Sequence, residues 1–404
     1  MKRAASALTA ALTELETAQL LRRRRTVAAS VAPGTQRLRF RDGRELVDFS
    51  SNDYLGLARH PELAAALGAG ASRSGAGSGA SHLITGHRLE HELLEEELAA
   101  FTQRERALLF STGYMANLAV LTTLAGRGER LVLDRLCHAS LIDGARLSGA
   151  ALARYAHADA DAAARLAAAD GAPLAAIATD GVFSMDGDLA PLAQLAPLAR
   201  AHDAWLVVDD AHGLGVVGGQ GGGALEDANL GSDDAPVLVG TLGKAFGTFG
   251  AFVAGPAALI ELLMQKARTY IYTTALPPGI AAATREALKV AARESWRRQR
   301  LSALVTRFRE RAAAAGVPLA ASNTPIQPVM LGDSATALAA QSALEMAGFL
   351  VVAIRPPTVP AGGARLRVTL SALHADEEVD ALAVQLGKAC AVATASRAQA
   401  EVSV

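Results

Sequence analysis

Cysteine is almost missing from this chain, with two residues in 404, Cys137 and Cys390. Two thiols build neither a disulfide framework nor a four-thiolate metal site, which excludes the small stapled scaffolds and favours a reducing compartment. Their spacing matches no metal motif, and no metal is expected. A surplus of either charge is lacking too: Lys and Arg total 39 against 40 Asp and Glu, for a net charge of −1. Binding nucleic acid or an anionic membrane calls for clustered Lys and Arg, so the expected partner is a small molecule or another protein. Long apolar runs are also lacking, although 51% of the residues are hydrophobic and the mean hydropathy is +0.22. Much of that count is alanine. A membrane span needs ~18 or more consecutive apolar residues, and the run from Ala245 to Ile260 stops short and is broken by Gly247, Gly250, Gly255 and Pro256. Glu14 and Glu16 interrupt the N-terminal segment where a signal peptide needs an apolar stretch, and acidic residues argue against a transit peptide. A cytoplasmic, soluble protein is expected.

What is present is a change of texture along the chain. Leu8, Leu12, Leu15 and Leu20 repeat with helical spacing and lead into Arg22, Arg23, Arg24 and Arg25, so residues 5–24 are expected as a helix with its cations at the negative end of the dipole. From about Phe49, short apolar runs alternate with Ala/Leu/Glu-rich helical stretches: Ala107 to Phe110, Leu131 to Leu133, Ala175 to Ala178, Leu206 to Val208 and Val237 to Val239. Strand, helix, strand order predicts βαβ units and a mostly parallel sheet, an α/β fold. After about Ala281 a long charged helical region runs to Arg311, followed by strand-like pieces at Ile326 to Leu331, Phe349 to Ile354 and Arg365 to Leu370, which predict a smaller α+β C-terminal domain. The expected division is an N-terminal helix and arm over 1–48, a large α/β domain over 49–285 and a small domain over 286–404. The glycine-rich stretches Gly68 to Gly86 and Gly213 to Gly223 read as loops inside the large domain.

Two glycine patterns mimic nucleotide motifs and fail on chemistry. Gly213-Leu-Gly-Val-Val-Gly218 has dinucleotide-binding spacing after a strand, but more glycine follows instead of a helix, and no second strand ends in an acid. Gly240 to Lys244 is too short for a phosphate-binding loop, and Ala245 stands where a metal-binding hydroxyl is required. The informative pattern lies at the strand ends: Ser111-Thr112-Gly113, Asp134, Thr179-Asp180-Gly181, Asp209-Asp210 and Thr241-Leu242-Gly243. Ligands of open α/β sheets bind beyond the carboxyl ends of the strands, so these clusters are expected to converge. Asp209, His212 and Lys244, in that order, supply a carboxylate, an imidazole and an amine, the groups a pyridine aldehyde cofactor requires.

On these residues the chain resembles the α-oxoamine synthases, a family of fold-type I enzymes dependent on pyridoxal 5'-phosphate (PLP). The matching segments are Phe49-Ser-Ser-Asn-Asp-Tyr-Leu-Gly-Leu57, Ser111-Thr-Gly-Tyr114, Asp134-Arg-Leu-Cys-His-Ala-Ser-Leu141, Gly181-Val-Phe-Ser-Met-Asp-Gly-Asp188, Val208-Asp-Asp-Ala-His-Gly213, Thr241-Leu-Gly-Lys244 and Ala353-Ile-Arg-Pro-Pro-Thr-Val-Pro-Ala-Gly362. Within the family the likeness is greatest to the branch serving biotin synthesis, which condenses L-alanine with a pimeloyl thioester carried on coenzyme A or acyl carrier protein. Glycine with acetyl-CoA, glycine with succinyl-CoA and serine with a long acyl-CoA are the sister reactions.

The resemblance implies roles residue by residue. Lys244 carries PLP as a Schiff base and then acts as general base, and Asp209 pairs with the pyridine nitrogen. His138 stacks on the ring, while His212 and Ser184 reach the phenolic oxygen. The phosphate falls to Thr241 and the amides of Gly113 and Tyr114, with Thr273 or Thr274 supplied by a neighbouring subunit, which implies a homodimer with shared sites. Arg367 binds the amino-acid carboxylate with help from Asn52, and Arg22, Arg355 and Thr358 lie toward the acyl substrate.

Overall fold

The computed structural model describes the backbone of residues 2–402 and the side chains of 6–393. Met1, Ser403 and Val404, which the sequence reading assigns to the arm and the small domain, lie outside the described residues. Contacts divide the chain into two units, one made of the chain up to Ser51, Met185–Gly187 and the chain from Arg300, the other of Asn52–Ser184 and Asp188–Gln299. The divisions therefore fall at 51/52 and 299/300 rather than 48/49 and 285/286, and the N-terminal segment groups with the C-terminal one. Among the described residues no helix is long and apolar enough to cross a membrane.

The unit holding Asn52–Ser184 and Asp188–Gln299 is built on a seven-stranded sheet. Its strands in chain order are β1 (Arg106–Phe110), β2 (Arg130–Asp134), β3 (Ala151–Tyr155), β4 (Leu174–Asp180), β5 (Trp205–Asp209), β6 (Val237–Thr241) and β7 (Ala251–Gly255). In space they run β1-β7-β6-β5-β4-β2-β3. β7 is antiparallel to both β1 and β6, and the remaining neighbours are parallel. A sheet covered on both faces needs continuous apolar strands rather than alternating ones, and all seven residues of β4 are buried. Leu131, Leu133, Ala176, Val207, Val239 and Val253 meet in one core cluster. Because β2, β4, β5 and β6 run the same way, their carboxyl ends bring Asp134, Asp180, Asp209 and Thr241 to one edge.

The other unit carries two small sheets. Val27–Ser30, Arg37–Phe40 and Glu45–Asp48 form an antiparallel ribbon, and Phe349–Leu350 adds to it in parallel through Phe349 opposite Val47. That pairing is why the N-terminal segment belongs with the C-terminal one. Ile326–Gly332, Ala364–Thr369 and Val352–Ile354 form the second sheet. Arg365 holds Met185–Gly187 to this unit, with Nη1 2.5 Å from Asp186 Oδ1.

Several expectations are corrected here. The N-terminal helix spans Lys2–Thr17 and ends before the arginines, with Gln19 in the left-handed region at φ 57°. Arg23 turns back to Glu16 and Arg25 pairs with Glu345, so two of the four arginines meet carboxylates instead of capping a helix. The long charged helix is two, Pro278–Arg293 and Trp296–Ala314. In the glycine-rich stretch, helix Pro61–Ser74 continues past Gly68, and His82–Gly86 forms one π-helical turn.

Candidate active site

Each strand end delivers its side chain for a local reason. After β1, Thr112 caps helix α1 (Gly113–Leu124), its side chain accepting from the Met115 amide at 3.2 Å. The amides of Gly113 and Tyr114 begin that helix, where N–H groups have no intrahelical acceptor and an anion is favoured. After β2, His138 caps helix α2 (Ala139–Ser148) with its own ring, Nδ1 accepting from the Ser140 amide at 3.3 Å. β5 ends in Asp209, and the turn beyond it carries His212. β6 ends in Thr241, and the turn beyond it carries Lys244.

Gly113, Tyr114, His138, Ser184, Asp209, His212, Thr241 and Lys244 line one cavity of about 190 Å³. Eight of the ten residues expected to hold the cofactor are thus brought together, against Thr273 and Thr274, which do not line it in their own chain. Thr273 Oγ1 donates to the Thr269 carbonyl at 2.6 Å, and Thr274 bridges Ser81.

Two hydrogen-bonded chains enter the cavity. In the first, Lys244 Nζ lies 2.8 Å from His212 Nε2, His212 Nδ1 lies 2.6 Å from Tyr54 Oη, and Tyr54 Oη lies 3.3 Å from Asn52 Oδ1. Tyr54 is fully buried and His212 is 7% exposed, so water does not replace these partners. In the second, Asn117 Nδ2 lies 2.5 Å from Asp209 Oδ2 and 2.8 Å from Ser140 Oγ, and Ser140 Oγ lies 2.7 Å from His138 Nδ1. The Ala211 amide donates to the other oxygen of Asp209 at 3.1 Å.

The electrostatics follow from burial. Desolvation lowers the His138 imidazole from its ordinary value, opposed by the Asp209 carboxylate. Asp180, which accepts from the His138 amide at 3.0 Å, is pushed well above the carboxylate range by burial and by Asp209. Burial raises Asp210 to about 7. A Cβ at Gly213 would stand 2.1 Å from Asp210 Oδ1, and one at Gly223 1.8 Å from Oδ2. Gly213, the first glycine of the false dinucleotide motif, and Gly223 beyond it therefore make room for a buried carboxyl. Burial also raises the Cys137 thiol, which makes it a packed neighbour of the site rather than a nucleophile.

Of the residues expected to bind substrate, which include His138, His138 lines the cavity and Asn52 joins the first hydrogen-bonded chain through Tyr54, while Arg22, Arg355, Thr358 and Arg367 do not line it. Arg367 is buried and donates to Thr369 Oγ1 at 3.0 Å. Arg22 donates to Thr358 Oγ1 at 3.3 Å, and Arg355 donates to the Gln19 carbonyl, so these three share the surface of one unit. Away from the cavity, ring nitrogens of His82, His87 and His91 come within 4.8 Å of one another. Both His91 nitrogens are engaged, one by the Arg88 amide and one with the Leu276 carbonyl, so the trio reads as a hydrogen-bonded cluster.

Sequence reasoning missed Tyr54, Asn117 and Ser140. Tyr54 and Ser140 sit inside the quoted segments, two residues after Asn52 and His138, so the segments themselves were the available signal. Asn117 is an interior position of a helix and carries no signal of its own.

The donor set fits a phosphorylated pyridine aldehyde. An amine, a carboxylate and an imidazole face one small cavity whose rim is a helix N-terminus and a threonine. A family model described as aminotransferase class I and II matches residues 44–386. An 8-amino-7-oxononanoate synthase from Alkalilimnicola ehrlichii is 60% identical over 347 residues, 86% of this chain and 89% of that protein. A high-resolution structure of SPT with PLP superposes with a TM-score of 0.88 at 29% identity, covering 96% of this chain and 98% of that one. An 8-amino-7-oxononanoate synthase from Francisella tularensis superposes with a TM-score of 0.75 at 33% identity, covering 85% and 97%.

Proposed function

The chain belongs to the class I and II aminotransferase family and, within it, to the 8-amino-7-oxononanoate synthases, and on that premise we propose that it joins L-alanine to a pimeloyl thioester. The new carbon–carbon bond links the alanine α-carbon to the acyl carbonyl. The thiol of coenzyme A or acyl carrier protein leaves, the alanine carboxyl departs as carbon dioxide, and the product is 8-amino-7-oxononanoate. The observation that carries this reading is the single cavity faced by Lys244, Asp209, His138 and His212.

Bound PLP supplies an electron sink for negative charge at the alanine α-carbon. Lys244 would be the residue that holds it, and its Nζ would be the base that takes the α-proton. Asp209 would hold the pyridine nitrogen, His138 would stack on the ring, and His212 and Ser184 would hold its phenolic oxygen. Thr241 and the amides of Gly113 and Tyr114 take the phosphate. Arg367, with help from Asn52, would bind alanine through its carboxylate and so orient it for proton removal. Arg22, Arg355 and Thr358 face the acyl chain. The protein works as a homodimer, a hydroxyl of Thr273 or Thr274 crossing to the phosphate of the partner subunit.

One observation favours a sister reaction, serine with a long acyl-CoA: the superposition on SPT is the higher of the two. Sequence identity of 60% over most of both chains weighs more, because the sister enzymes share their scaffold and differ in pocket side chains. Replacing Lys244 by Ala tests the assignment. The variant is expected to fold and to release no carbon dioxide from alanine and a pimeloyl thioester; sustained turnover refutes the reading.

A further inference from the structure

We propose that Asn117 and Ser140 are positioning residues that hold His138 as the tautomer protonated on Nε2, with the Asp209 carboxylate setting the direction of the whole chain. The assignment starts from Asp209. A carboxylate oxygen only accepts, so the Asn117 amide atom 2.5 Å from Asp209 Oδ2 is the nitrogen. The side-chain oxygen of Asn117 is buried with no hydrogen-bond partner. An amide that leaves its oxygen unsatisfied holds this orientation for the sake of its nitrogen, because flipping it would set oxygen against a carboxylate.

The second hydrogen of the same nitrogen points to Ser140 Oγ at 2.8 Å. Ser140 Oγ accepts from Asn117 and keeps its one hydroxyl hydrogen for His138 Nδ1, 2.7 Å away, a direction that the next contact fixes. The Ser140 backbone N–H, which only donates, lies 3.3 Å from that nitrogen. Nδ1 therefore faces two Ser140 donors that share its one lone pair, carries no proton, and the neutral ring bears its hydrogen on Nε2. Asn117 and Ser140 are fully buried, so no solvent offers an alternative partner. The charged groups facing the ring are Asp209, Lys244 and Asp143, and Asp180 accepts from the His138 backbone. A second proton on Nδ1 would confront the Ser140 amide, in keeping with the depressed basicity of this imidazole.

The result is a fixed N–H donor in the cavity rather than a mobile base. Two groups expected to act independently, the ring-nitrogen acid and the stacking histidine, are then coupled through two side chains. The tautomer stands on the geometry alone, whereas its use on an oxygen of alanine or the acyl group rests on the proposed reaction.

The test is a long-range proton–nitrogen correlation spectrum of the full-length holoenzyme labelled with 15N in histidine, of which the chain has nine, with His138 assigned by its loss in His138→Asn. A proton on Nε2 alone is expected. Ser140→Ala and Asn117→Ala are expected to give a mixed population, and Ser140→Thr, which keeps a hydroxyl, to retain the Nε2 signature. A proton on Nδ1 in the native protein, or an unchanged spectrum in both alanine variants, overturns the proposal. Should those variants fail to fold, the native spectrum decides by itself. In a second arm, kcat/KM for alanine is expected to fall about tenfold or more in Ser140→Ala and to recover in Ser140→Thr. Unchanged kinetics beside a changed tautomer removes the positioning role. A native enzyme with no turnover of alanine and pimeloyl thioester refutes the reaction and leaves the spectrum to judge the tautomer.

Discussion

Tyr54 backs the lysine through one intermediary. Its hydroxyl lies 2.6 Å from His212 Nδ1, and the opposite nitrogen of that ring lies 2.8 Å from Lys244 Nζ. The buried imidazole is thus pinned at both ends. Tyr54→Phe keeps the packing of the fully buried ring but withdraws one partner from a buried histidine, a loss of about 1–3 kcal/mol. Urea unfolding of the variant measures it, and a midpoint equal to that of the native protein would mean that the hydroxyl does not serve His212. This tyrosine stands within a matching segment, yet its role is not legible in the sequence: a Tyr amid Asn, Asp and Leu reads as ordinary packing until the chain brings it, 158 positions away, against the histidine. The same holds for Asn117, whose role depends on which side of helix α1 faces Asp209. Lys244, Asp209 and His212 were legible because each follows directly on an apolar strand.

At the scale of elements, the loops after β2 and β4 are tied together by His157, just beyond β3. His157 Nδ1 lies 3.1 Å from Asp134 Oδ1, its Nε2 lies 2.8 Å from Asp188 Oδ2, and Phe183 meets the ring edge-on. Asp134 also accepts from the Leu136 amide, two residues before His138, and Asp188 closes the segment that carries Ser184. The two carboxylates overcome burial and raise the imidazole to about 10. A histidine with a folded pKa above its unfolded value stabilises fully below the unfolded value, about 6.5, and loses that contribution as pH rises toward 10. The stability gap between the native protein and His157→Gln is therefore expected to be widest below pH 6.5 and to close up to pH 10, measured by unfolding across that range; a gap constant with pH contradicts the ion-pair account. β1, β2, β4, β5 and β6 were legible because buried strands are continuous apolar words. β3 and β7 were not: β3 is alanine-rich and largely solvent-facing, with only Tyr155 buried, and the antiparallel direction of β7 is decided by pairing partners far along the chain. The merging of the N-terminal ribbon with the C-terminal unit has the same origin, a parallel pairing of Val47 with Phe349 across 302 positions.

On the scale of the whole molecule, a net charge of −1 conceals a local need for cations and amide donors, since a phosphate and a carboxylate have to be bound within one site. The proposed sharing of the phosphate between subunits makes a prediction about mixtures. Lys244→Ala and the double variant Thr273→Val, Thr274→Val are each expected to be severely impaired; mixed and allowed to exchange subunits, they are expected to regain activity, because one site of each mixed dimer combines an intact lysine with intact hydroxyls. A mixture no more active than its parts would show that the hydroxyls do not cross. Reaction identity is the central claim, and one measurement bears on it most directly: the full-length protein with PLP, offered each amino acid with each thioester, and assayed for ketone and carbon dioxide. Equal amounts of 8-amino-7-oxononanoate and carbon dioxide from L-alanine and a pimeloyl thioester, with the other pairs far slower, is the predicted result. Faster turnover of serine with a long acyl-CoA, or of glycine with acetyl-CoA or succinyl-CoA, would contradict it.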